Sequence, residues 1–167
     1  MNNLLFFMVT FLGNLLAFGL IAIWFVIPQI RRMSRTSALL AFVFVSTFRT
    51  EALTMLIPGV TGSHLPSAFA DPVAYGDLTT ALLAFLSLFA LRAQSRIALP
   101  LVWVFNLVGT IDLLNALYQG SAIRFFDQQV GVTWFIPTIY VPLLMVTHTV
   151  IFWLLLRSPR LAKIPIA

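Results

Sequence analysis

The sequence predicts an all-α, polytopic membrane protein: a bundle of five transmembrane helices, with the N-terminus outside and the C-terminus in the cytoplasm. Three observations carry this reading. Hydrophobic residues make up 60% of the 167-residue chain and charged residues only 9%, with a mean hydropathy of +1.00. A water-soluble domain carries roughly 25% charged residues, so this chain lacks the polar side chains to cover a soluble surface. Five segments are each long enough to cross a bilayer, which takes about 20 apolar residues for about 30 Å of hydrocarbon. The basic residues, finally, fall in alternate connections.

The first span runs from about residue 4 to 28 (LLFFMVTFLGNLLAFGLIAIWFVIP). Its leading MNN has no basic side chain, its apolar run is long, and Arg31, Arg32 and Arg35 follow it. A cleaved signal peptide has the opposite pattern, so this is a true span. The second runs from about 37 to 57, the third from 72 to 93, the fourth from 97 to 118 and the fifth from 133 to 157. Together they make one transmembrane domain over residues 1–167.

Two connections are short and basic. The other two are longer. Residues 58–71 open on the turn signal Pro58-Gly59 and hold His64, read as a solvated loop histidine. In residues 119–132, Phe125 and Phe126 beside Arg124 and Asp127 are expected to rest in the membrane interface. Trp134 and Tyr140 are expected to anchor the adjoining end of span five.

Orientation follows from charge. Arg31, Arg32 and Arg35, then Arg92 and Arg96, then Arg157, Arg160 and Lys163 fall on one side if the spans alternate, against Arg124 on the other. The positive-inside rule makes the basic side cytoplasmic. The expected address is a cell membrane, a bacterial inner membrane.

Several chemistries are excluded. No cysteine is present, so disulfides, thiolate metal sites and cysteine nucleophiles are out. The net charge of +5 flanks the spans without forming a patch, so nucleic acid is not an expected partner. No glycine-rich phosphate loop, GxSxG or HExxH occurs, and no cofactor or metal site is predicted.

The functional signal is a set of polar groups inside the spans. At about 1.5 Å per residue, Arg49 and Glu51 of span two, Asp77 of span three and Asp112 of span four share a depth band on the outer side. Asn14 of span one and Asn115 of span four join it, whereas His148 of span five is placed apart, towards the inner side. Each charge at mid-membrane costs about 2.5–3.5 kcal/mol on the insertion scale. The four are therefore expected to face the bundle interior, with Arg49 paired to Asp77 or Asp112.

Residues two apart lie about 200° apart on an α-helix, so Arg49 and Glu51 are poor partners for each other. Asp77, Thr80, Ala84 and Ser87 form one stripe, Asp112, Asn115 and Gln119 another, and Asn106 with Thr110 a third. The two stripes on span four predict a central position for it or a face against another subunit.

Three function classes fit. The first is a binding or transport module whose outward-facing cavity takes a small amphiphilic or cationic ligand. The second is an accessory subunit of a membrane complex, or a homo-oligomer, with its polar faces satisfied by a partner. The third is an intramembrane acid–base enzyme acting on a lipid or polyprenoid. In span number and size alone the chain resembles the translocator proteins, and its intramembrane acids resemble those of the sterol-isomerase-related proteins. No motif matches either group residue by residue, so neither resemblance implies a site.

Overall fold

The computed structural model describes residues 2–61 and 65–157. His64, Arg160 and Lys163 lie outside the described residues. Five helices are long and apolar enough to cross a membrane: α1 (Asn3–Ile30), α2 (Arg35–Leu56), α3 (Ser67–Arg92), α4 (Ala98–Ala122) and α5 (Gly131–Leu156). No β-strand occurs among the described residues.

Side-chain caps start the first two helices. Asn2 accepts from the Leu5 amide, and Ser34 accepts from the Ser37 amide at 3.1 Å, each satisfying a donor that the helix cannot. α3 begins five residues earlier than the sequence reading placed it, because Pro72 lies inside the helix and not at its start. Proline removes one backbone donor, and a single loss near the end of a 26-residue helix does not break it.

Other prolines sit beside local changes of helical pitch. Ala22–Val26 is a π-helical turn just before Pro28, and Ile136–Tyr140 is another just before Pro142. A wide turn accommodates the bonds that the proline ring disrupts.

The most consequential irregularity is in α2. It is α-helical over Arg35–Val45, then continues as a 3₁₀-helix over Ser46–Leu56. Such runs rarely exceed three or four residues. Side-chain spacing explains this one. Ser46, Arg49, Ala52 and Met55 recur every third residue and all are buried, which suits a helix of three residues per turn. The Tyr140 hydroxyl donates to the Val45 carbonyl at 2.9 Å, at the point where the pitch changes. Tyr140 thus fastens α5 to α2 inside the bundle and is not merely an interfacial anchor.

α5 packs against α1, α2 and α4, while α3 lies between α2 and α4. The expected central position of span four therefore belongs to α5. α4 keeps an outward face of Val104, Leu107, Ile111, Leu114 and Tyr118, all exposed.

Two apolar clusters hold the ends. One gathers Leu39, Val43, Leu88, Leu91, Val102, Phe105, Ile151 and Leu154. Here Arg35 also donates to the Leu155 carbonyl at 2.5 Å, satisfying a bare acceptor in the last turn of α5. The connections carrying Arg31, Arg32, Arg92 and Arg96 lie at this end, with those four side chains exposed. The opposite cluster holds Met55, Phe69, Ala70, Val73, Phe125 and Val130. Phe125 is buried there against Phe69 at a ring separation of 5.9 Å. Of the segment expected at an interface, only the Arg124–Asp127 ion pair at 2.8 Å is exposed.

Candidate functional site

Between the two apolar clusters lies a polar layer centred on Arg49, which is 1% exposed. The 3₁₀ spacing aims it inward. Its Nε donates to Asp77 Oδ1 of α3, and its Nη2 donates to Asp112 Oδ2 of α4 at 2.5 Å. Its Nη1 donates to the Gly109 carbonyl at 3.2 Å and meets His148 Nε2 at 3.3 Å. One guanidinium therefore ties α2 to α3, α4 and α5. The planar fork of arginine is suited to this, where lysine would offer a single point charge.

Hydrogen-bond logic fixes the histidine. Arg49 has only donors, so His148 Nε2 accepts, and Nδ1–H donates to Asn106 Oδ1 at 2.7 Å. Asn106 Nδ2 returns a bond to the His148 carbonyl at 3.2 Å. The imidazole also rests on Phe105, with ring centres 5.4 Å apart. Asn106 and His148 are thus a supporting layer beneath the ion pairs.

Glycines make this convergence possible. A Cβ on Gly76 would collide with the Asp112 carboxylate, and one on Gly109 would stand 2.7 Å from both His148 Cε1 and Thr80 Cγ2. Close backbone approach at these two positions brings α3, α4 and α5 to the arginine.

The expected pairing of Arg49 is present with both Asp77 and Asp112. The stripe Asp77, Thr80, Ala84 and Ser87 is wholly buried. Three other placements need correction. Glu51 does not face the interior; it is exposed on a stripe with Phe48 and Ile57, because steps of 120° separate it from Arg49. Asn115 is exposed on the outward side of α4 and takes no part in the cluster. His148 is not apart. The 3₁₀ stretch rises about 2.0 Å per residue, which sets Arg49 deeper than α-helical counting predicts, and its long side chain does the rest. Asn14 is half-buried and joins α1 to α5 by donating to the Thr138 carbonyl at 2.8 Å, away from the arginine.

A cavity of about 150 Å³ adjoins the layer. Phe7, Phe69, Val73, Leu113, Phe125 and Met55 contribute apolar walls, and Asp77 is the one ionisable residue lining it. Asp77 Oδ1 is held by Arg49, while its Oδ2 has no hydrogen-bond partner among the described residues. With both aspartates ionised, the layer carries two negative charges against one positive. The guanidinium, committed to four acceptors, has little left to offer an anion. Among the described residues no three histidine, aspartate or glutamate side chains converge as metal ligands.

The chain belongs to the family described as Domain of unknown function (DUF8737), whose model matches residues 6–156. That match covers four of the five helices in full, the first from its fourth residue, and every residue of the polar layer. No curated protein and no solved structure matches the chain.

Proposed function

We propose that this chain is a multi-pass protein of the cell membrane that binds a small cationic amphiphile in the cavity floored by Asp77, as a binding or transport module. The observation that carries the reading is a carboxylate with one oxygen free of protein partners at the base of an otherwise apolar space, in a layer where two carboxyl groups share one guanidinium. A cavity of this size holds roughly six carbon atoms, so it takes the head and first carbons of an amphiphile whose chain end stays outside. An ammonium head would pair with the free oxygen of Asp77, with the tail against Phe7, Phe69 and Val73.

The enzyme reading is less well supported. Neither Asp112 nor Arg49 lines the cavity, and four of the five Arg49 donors are already committed. An assembly role draws support from Asn115, an exposed amide on the outward face of α4, since amides bond across helices in a bilayer.

The binding test uses purified protein in lipid nanodiscs with octylamine, octanol and octanoate as probes. Octylamine is expected to raise the unfolding temperature beyond octanol at equal membrane concentration, and octanoate is expected not to. At a hundredfold excess over Kd the stabilisation approaches about 2.7 kcal/mol. Asp77→Asn should remove the preference for the amine and still fold, because Arg49 keeps Asp112 as a one-to-one partner. Equal effects of octylamine and octanol on the wild type would overturn the proposal.

In the same reading the basic end is cytoplasmic, with the Phe125 end outside. The absence of native cysteine makes this directly measurable. Gln129→Cys should react with a membrane-impermeant maleimide in intact cells, and Met33→Cys only after permeabilisation. The reverse pattern would invert the topology.

A further inference from the structure

Glu51 is left over from the site described above. Its carboxylate forms no ion pair or hydrogen bond among the described residues, although it sits five residues inside the end of a helix apolar enough to cross a membrane. It does not point at nothing. Glu51 and Thr54 of α2 form one wall of a second, more open groove, and Thr133, Phe135, Ile139 and Leu143 of α5 form the other. Thr133 is buried there, and its hydroxyl has no hydrogen-bond partner among the described residues.

The groove and the cavity are neighbours across a thin wall. Ile136 lines both. On α2, Thr54 lines the groove while the next residue, Met55, lines the cavity. The wall is thus one turn of 3₁₀-helix and one side chain of a π-helical turn, both irregular segments of the kind that recur at functional sites. Each space holds a single carboxylate in apolar surroundings.

From this arrangement we infer that the Glu51 groove is a lateral entry site, where an ammonium-bearing amphiphile first docks from the bilayer before passing Ile136 to Asp77. The inference rests on the binding function proposed above. Charge complementarity selects the occupant, because an unpaired carboxylate at this depth favours a cation and repels an acid. The groove's walls would take the hydrocarbon tail.

The test separates rate from equilibrium. A photoreactive octylamine analogue is mixed with nanodisc-embedded protein, crosslinked at set times and mapped by mass spectrometry. In the wild type, labels are expected on Phe135 or Ile139 first and on Phe69 or Val73 later. Glu51→Gln should slow the appearance of cavity labels about tenfold, at the low end of electrostatic rate effects, with the final level unchanged. Ile136→Trp should slow cavity labelling while leaving groove labelling intact. Unchanged kinetics in Glu51→Gln would overturn the entry role. A drop from two bound amines to one, with cavity kinetics unaltered, would equally overturn it in favour of an independent second site. If the wild type shows no charge-selective labelling at all, the binding function itself fails, a different result from either.

Discussion

Replacing Arg49 with leucine is expected to destabilise the protein by about 3–5 kcal/mol, the range found when one partner of a buried ion pair is removed. The cost arises from what stays behind. Asp77 and Asp112 would remain close together, in a layer between two apolar clusters, with no counter-charge and without the hydrogen bonds they now accept. The Gly109 carbonyl and His148 Nε2 would lose their donor as well. Four helices would lose a common tie at once.

Arg49→Lys should recover only part of the loss, because an ammonium cannot span both aspartates and the carbonyl in the geometry of the fork. The informative comparison is the triple variant Arg49→Leu, Asp77→Asn, Asp112→Asn. Removing the orphaned charges together should bring stability well back towards the wild type, since a neutral replacement of a buried ionic group is often tolerated. Chemical unfolding in mild detergent, followed by tryptophan fluorescence, reads each variant. A single Arg49→Leu variant within about 1 kcal/mol of the wild type, a range typical of exposed ion pairs, would mean that the layer is hydrated and contributes little.

Much of this layer is legible in the sequence. The phase difference of two residues separates Arg49 from Glu51, and burial cost then demands a carboxylate from another helix. Asp77 and Asp112 lie at suitable depth, and both prove to be partners. What the reading lacked was local pitch. Counting every span at the α-helical rise placed Arg49 too near the end and His148 too far away. The signal for the 3₁₀ stretch was present in Ser46, Arg49, Ala52 and Met55, small or functional residues at intervals of three. It competed with an α-helical expectation that fits most membrane spans. Glu51 was turned inward by the cost of a charge in the membrane, although helical phase already set it about 200° from Arg49.

The cavity was not legible, for a different reason. Phe7, Phe69 and Phe125 come from α1, α3 and the segment after α4, and nothing in their local sequence indicates that they surround a common space. Cavities are properties of packing between elements. The positive charges are a mixed case. Alternation placed Arg35 among the topology signals, yet its side chain also reaches the Leu155 carbonyl.

Gly109→Ala should be strongly disruptive for a single added methyl, costing about 1–3 kcal/mol, as overpacking in well-filled cores does. Glycine inside a helix ordinarily costs stability, so replacement by alanine normally gains up to about 1 kcal/mol. The sign reverses here because the neighbours cannot move aside. The new methyl would lie 2.7 Å from His148 Cε1 and from Thr80 Cγ2, and 3.0 Å from His148 Nε2. His148 is held at Nδ1 by Asn106 and at Nε2 by Arg49. The Thr80 rotamer is set by its hydroxyl donating to the Gly76 carbonyl at 3.0 Å. Relief therefore requires α4 to back away, which lengthens the Arg49 contacts to Gly109 and Asp112 together.

Gly13→Ala and Gly19→Ala on α1 provide the control, since a Cβ at either meets nothing within 4 Å. Both should leave stability unchanged or raise it slightly. If Gly109→Ala behaved like them under the same unfolding assay, α4 would not be pressed against α3 and α5 at this level, and the four-way junction at Arg49 could not be as tight as described.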